Sequence, residues 1–150
     1  ILSSQKSFKA AHQIRRMSEV TELQRTGMVA LVFGINTKTV ADMSTVFQSF
    51  DTDSSGMLSK EEFSTAMSKI VPELTQLDLE KLFNIIDYDK NQSISYTEFL
   101  AATLDPRELD IGELNKAFKL FDEDGNGYIS KDEMRKVGFI ELLDVLFGFY

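Results

Sequence analysis

Oxygen-bearing side chains recur in this chain at a spacing that suits a hard metal ion. In residues 51–62, Asp51, Asp53 and Ser55 stand at positions 1, 3 and 5, and Glu62 stands at position 12. Asp87, Asp89, Asn91 and Glu98 fill the same positions in residues 87–98, and Asp122, Asp124, Asn126 and Glu133 fill them in residues 122–133. The three starts are 36 and 35 residues apart, so this is an internal repeat. Calcium takes about six to eight oxygens at ~2.3–2.6 Å, so a short segment must curl around it to supply most of them. Side chains at positions 1, 3 and 5 then point inward, and position 7 offers its backbone carbonyl. Met57, Ser93 and Tyr128 hold position 7, where the side chain is free to vary. Ser59, Ser95 and Ser130 at position 9 can act through a water, and the long Glu at 12 closes the site with both oxygens.

Three such loops in register identify the EF-hand motif, and the flanking residues agree with it. Phe47 and Phe50, Phe83 and Ile86, and Phe118 and Phe121 lie four and one residues before each loop. That spacing puts each pair on one face of an entering helix. Phe63, Phe99 and Met134 follow each closing Glu and begin an exiting helix, while Pro72 and Pro106 fall between repeats, where a helix should stop. The apolar faces read as ordinary core, and part of that core becomes a groove if calcium opens the helix pair. The sites are unequal. Gly56 and Gly127 hold position 6, where the turn needs positive φ, but Gln92 holds it in the second loop at a cost of roughly 1 kcal/mol. Binding there is expected to be weakened, not abolished.

EF-hands stack in pairs through an antiparallel contact between position-8 residues. Leu58 and Ile94 can pair in this way, and Ile129 has no evident partner. A fourth loop at the same period would begin beyond the last residue, yet Phe139-Ile-Glu-Leu-Leu-Asp-Val-Leu146 reads like an exiting helix. Either a loop and helix have been lost, or Val137-Gly138-Phe139 joins segments across missing residues. The second is favoured, because an unpaired hand would leave an apolar face open.

Composition limits the alternatives. With 150 residues, 43% hydrophobic and 27% charged, the chain is long and apolar enough to bury a core. It has no Cys, which removes disulfides, thiolate metal sites and cysteine nucleophiles. The longest apolar run, Met28 to Phe33, is far short of the roughly 18 residues of a membrane span. A net charge of −8 argues against nucleic acid, which needs clustered positive charge. That charge is uneven: residues 1–38 carry six basic and two acidic side chains, and residues 39–150 carry ten basic and 22 acidic. In the basic head, Ala10, Ile14 and Met17 form a stripe over Ser7 to Val20, with Phe8 and Ala11 alongside and Lys6, Lys9, Arg15 and Arg16 around it. A basic amphipathic helix is what an acidic calcium lobe grips. The same pattern also fits an ordinary solvated helix or, less well, a membrane surface. Met28 to Ile35 is expected to cover a lobe, and His12 to lie at the surface.

The order of segments carries a resemblance. "SFKAAHQIRRM" precedes "VFQSFDTDSSGMLSKEEF", "IIDYDKNQSISYTEFLAATLD" and "AFKLFDEDGNGYISKDEM". Over nearly all of residues 1–136 this is similar to the regulatory region of calcium-dependent protein kinases of plants and apicomplexan parasites. The resemblance implies an all-α, calmodulin-like fold with paired helix-loop-helix lobes behind a serine/threonine kinase domain. Residues 1–38 would then be the autoinhibitory junction, 39–104 the first EF-hand pair, and 105–150 the third hand with the remnant of a fourth. It also implies that calcium opens the lobes, which rearrange around the junction helix and relieve inhibition of the upstream kinase domain. Three departures stand out: the missing fourth hand, an unusual stretch from Val20 to Lys38, and Gln92. No glycine-rich phosphate loop, V-A-I-K, H-R-D or D-F-G occurs in this chain, so it is not expected to be catalytic itself. A free-standing calmodulin- or centrin-like sensor binding separate target helices is the alternative, and a calcium buffer a further rival. A cytoplasmic location is expected. Membrane association would follow only from lipidation upstream of Ile1, and exposed grooves leave a homodimer open.

Overall fold

The computed structural model describes residues 2–32, 37–130 and 132–133. Its helices are α1 (Leu2–Arg16), α2 (Glu22–Val32), α3 (Thr37–Phe50), α4 (Lys60–Ile70), α5 (Gln76–Ile86), α6 (Tyr96–Thr103) and α7 (Ile111–Phe121), with 3-10 turns at Met17–Glu19 and Pro106–Glu108. Two short strands, β1 (Met57–Leu58) and β2 (Ile94–Ser95), pair antiparallel, with Leu58 opposite Ile94 as the position-8 rule expects. Among the described residues the architecture is all-α apart from this ribbon.

Local signals set the helix boundaries. Ser59, Thr75, Ser95 and Asp110 each cap a helix start and are answered by Glu62, Asp78, Glu98 and Glu113 three residues on, giving four capping boxes. Helix α4 stops just before Pro72, and the 3-10 turn that follows α6 begins at Pro106. At the other end of the entering helices, the amides of Asp51, Asp87 and Asp122 donate to the carbonyls of Phe47, Phe83 and Phe118 at 2.9, 2.8 and 3.0 Å. The first loop carboxylate of each repeat is thereby fixed to the last turn of its helix.

Packing joins the basic head to the first two repeats. Ala10, Ala11, Ile14 and Met17 are at most 4% exposed and share one cluster with Phe47, Phe50, Phe63, Phe83, Phe99, Leu58 and Ile94. Edge-on ring contacts lock it, Phe47 against Phe99 at 5.3 Å and Phe63 against Phe83 at 5.8 Å. Lys6 pairs with Asp42 at 2.7 Å, Arg15 with Glu73 at 2.9 Å, and Lys9 with Glu108, so basic side chains of α1 meet acids of the body. Phe8 departs from the expected stripe. It lies about 160° around the helix from Ala10, remains 54% exposed and packs on half-buried His12 at 4.2 Å. The helix also ends earlier than Val20, tightening into the 3-10 turn that carries buried Met17.

A second, smaller cluster of Val29, Ala101 and Phe121, with Val32 and Ile129 against it, ties α2 to α6 and α7. Helix α2 thus covers the body over Met28 to Val32, as the apolar run predicts, and connects the third repeat to the first two; Phe33 to Ile35 lie outside the described residues. The sequence runs without a break from Gly138 to Phe139. Both residues, Met134 and the expected remnant of a fourth hand lie outside the described residues.

Candidate calcium sites

The three loops share one hydrogen-bond plan. The position-1 carboxylate accepts from the amides of positions 5 and 6: Ser55 (3.0 Å) and Gly56 (2.9 Å) bond Asp51, Asn91 (3.1 Å) and Gln92 (3.0 Å) bond Asp87, and Asn126 (3.0 Å) and Gly127 (3.0 Å) bond Asp122. Asp53, Asp89 and Asp124 accept from the position-5 amide at 3.0, 3.1 and 3.0 Å. Each closing Glu reaches back across its loop. One oxygen of Glu62, Glu98 and Glu133 accepts from the position-2 amides of Thr52, Tyr88 and Glu123 at 2.9, 2.7 and 3.0 Å. The other accepts from the position-9 amides at 3.0, 2.8 and 2.8 Å.

The outcome is convergence of negative charge. In each of the sets Asp51/Asp53/Glu62, Asp87/Asp89/Glu98 and Asp122/Asp124/Glu133, one oxygen per residue lies within 4.8 Å of the others. Three carboxylates at that separation repel one another, and a divalent cation between them reverses the sign of the interaction. Among the neutral candidates, Asn91 and Asn126 orient their side-chain oxygens by accepting from the amides of Ser93 (2.8 Å) and Tyr128 (2.7 Å). Ser55 donates its hydroxyl to the Met57 carbonyl at 2.9 Å. Tyr128 is 79% exposed, as expected of a position that offers only backbone.

Two features escaped the reading of the sequence. Position 9 has a structural duty, because the hydroxyls of Ser59, Ser95 and Ser130 accept the amides of Glu62, Glu98 and Glu133 at 3.2, 3.3 and 3.2 Å. The S-x-x-E spacing carries that signal, so the residue that closes the loop also opens the exiting helix. Position 4 needs positive φ as well as position 6: Ser54, Lys90 and Gly125 lie at +58°, +60° and +68°, and Gly56, Gln92 and Gly127 at +83°, +69° and +84°. Only Gly125 gave a visible cue.

Loop two is the most enclosed, with Asp87 and Glu98 each 3% exposed. Burial pushes the Glu98 carboxyl above its ordinary range despite the bonds it accepts, and burial likewise raises Asp87. In the first loop the Ser59 amide holds Glu62 down to about 2, and in the third the Ser130 hydroxyl and amide lower Glu133. The middle site thus differs from the outer two, whose closing carboxylates are held lower by the hydrogen bonds they accept.

These helix-loop-helix units, two of them joined by the ribbon, match known models at the same places. The family model described as an EF-hand domain pair covers residues 40–104, and that of a single EF-hand domain covers 113–138. Residues 40–104 and 113–138 are thus EF-hand domains, whose loops bind calcium. Over 135 residues, 89% of this chain, it is 32% identical to calcium-dependent protein kinase 33 of Arabidopsis thaliana and 30% identical to calcium-dependent protein kinase 2 of Zea mays, covering 24% and 25% of those proteins. Calcium-dependent protein kinase 19 of Oryza sativa subsp. japonica is 30% identical over the same share of the chain and 24% of its own length. The chain spans about a quarter of the length of the curated relatives it matches. No described helix is long and apolar enough to cross a membrane.

Proposed function

We propose that this chain is the calcium-sensing regulatory segment of a serine/threonine protein kinase, with α1 as its junction helix. Each loop would hold one calcium ion: through Asp51, Asp53, Ser55, the Met57 carbonyl and Glu62 in the first; through Asp87, Asp89, Asn91, the Ser93 carbonyl and Glu98 in the second; and through Asp122, Asp124, Asn126, the Tyr128 carbonyl and Glu133 in the third. The observation that carries the reading is the seat of α1. Its apolar stripe is buried against the Phe residues that enter and leave the first two loops, so any change in those helices alters what α1 rests on. Calcium drives the change only as far as it binds one arrangement better than the other. A kinase domain of the same polypeptide is the proposed partner, and the cytoplasm the proposed location.

The test is a phosphotransfer assay on the intact polypeptide that carries this segment, with and without calcium. Activity should rise with calcium and lose that response when Glu62→Gln and Glu98→Gln are combined. Calcium-independent activity, or an unaltered response in the double variant, overturns the proposal.

A further inference from the structure

The first two repeats pair through contacts that are symmetric between them. Their antiparallel ribbon sets position 8 opposite position 8, Leu58 against Ile94, and position 7 opposite position 9, Met57 against Ser95. The rings cross in the same reciprocal way. Phe47, entering the first loop, lies edge-on to Phe99, which leaves the second, at 5.3 Å. Phe83, entering the second, meets Phe63, which leaves the first, at 5.8 Å. Exchanging the two hands leaves this plan unchanged, which is the condition for one surface to bind a copy of itself about a two-fold axis.

The third hand has the same local build without the neighbour. Its loop turns at the same places, with Gly125 and Gly127 at φ +68° and +84° against +58° and +83° for Ser54 and Gly56. Its closing Glu133 accepts from positions 2 and 9 as Glu62 and Glu98 do. Yet Ile129 at position 8 is only partly buried and has no strand partner among the described residues, whereas Leu58 and Ile94 have no exposed surface. Phe118, four residues before the loop, is 36% exposed, against 5% and 3% for Phe47 and Phe83.

We propose that a second copy of this chain supplies the neighbouring hand, two molecules joining through their third hands about a two-fold axis between their Ile129 residues. Carrying over the register of the ribbon, Ile129 stands opposite Ile129 of the second copy, and Tyr128 opposite its Ser130. A β-branched side chain at the axis suits a short strand and repeats the aliphatic contact of Leu58 with Ile94. A copy approaching as the first two hands approach each other would also cover Phe118. The proposal does not rest on any kinase connection.

Sedimentation equilibrium of the full chain tests this, run in calcium because paired third loops bring three carboxylates from each copy side by side. The apparent mass should rise with concentration from that of one chain toward that of two. Ile129→Asp should weaken the association by at least about tenfold, because two carboxylates would meet on the axis. Unchanged amide signals from the β1–β2 ribbon check that the first pair of this variant stays folded. The sequence has no Cys, so a single one can report the register. Residues directly opposite in an antiparallel pair have Cα atoms about 4.5–5.5 Å apart, within reach of a disulfide. Ile129→Cys should therefore oxidise to a covalent dimer far more readily than Leu77→Cys, a control at a 59% exposed side chain on α5. A single-chain mass up to millimolar concentration means that the face is covered within its own chain and overturns the proposal. Association that Ile129→Asp leaves intact, or cross-linking no greater from Ile129→Cys than from the control, overturns it as well.

Discussion

Gln92→Gly isolates the effect of a side chain at a turn built for glycine. Gln92 lies at φ +69° and its amide donates to Asp87 at 3.0 Å, the same bond Gly56 and Gly127 make to Asp51 and Asp122. Holding a residue with a Cβ in this region costs about 1–2 kcal/mol. Glycine removes that cost but adds roughly 0.5–1 kcal/mol of chain entropy to be lost on folding. The difference is a net stabilisation of about 0.5–1 kcal/mol, or a rise in Tm of ~1–4 °C for a domain of this size. The reverse exchange has a clean control, because a Cβ built on Gly56 or Gly127 meets nothing within 4 Å and the loss is conformational alone. Gly56→Ala and Gly127→Ala should each lower stability by about 1 kcal/mol. Thermal unfolding followed by circular dichroism, in chelator and again in calcium, measures all three. A lower Tm for Gln92→Gly together with a neutral Gly56→Ala would refute the reasoning, since backbone conformation would then not set the difference between the loops.

Other consequences can be checked in the same preparations. Glu62→Gln, Glu98→Gln and Glu133→Gln should each remove one calcium from the stoichiometry found by calorimetry, because the amide withdraws one of the two closing oxygens. Ile14→Ala, at a side chain with no exposed surface in the shared cluster, should cost about 2–5 kcal/mol and be seen as a lower denaturant midpoint. Asp105 is bound by both the Nε and a terminal nitrogen of Arg107, at 2.9 and 2.7 Å, and by Gln13 of α1, and Arg107 holds its carboxyl down to about 2. A depressed carboxylate stabilises above its unfolded value near ~4 and loses that contribution as pH falls toward about 2. Asp105→Asn should therefore lower stability at neutral pH and make the acid limb between those values shallower, as read by pH-dependent urea unfolding.

The convergence of the three carboxylate sets was legible because each member stands at a fixed offset from its first Asp. The pairing of Leu58 with Ile94 was legible for a similar reason, since the repeat period aligns them. The capping role of Ser59, Ser95 and Ser130 was present as S-x-x-E, but their place in the ligand pattern hid it. Positive φ at Ser54 and Lys90 left no trace in residue type, because the loop closure imposes it. Phe8 was set alongside the stripe on its apolar character, but unlike Ala11 it stays exposed, far around the helix from Ala10. The seat of α1 depended on tertiary contacts that spacing alone does not encode: its apolar stripe gave the face but not the surface that face meets.

A switch of this kind requires coupling between the calcium loops and α1. Its most direct measurement is a calorimetric calcium titration in millimolar magnesium on the chain and on its Ile14→Ala variant. Three calcium ions should bind per chain, with a shift in affinity confined to the first two loops when Ile14 is truncated. Identical titrations of the two chains would contradict the coupling, and no calcium binding in either would contradict the assignment of the loops themselves.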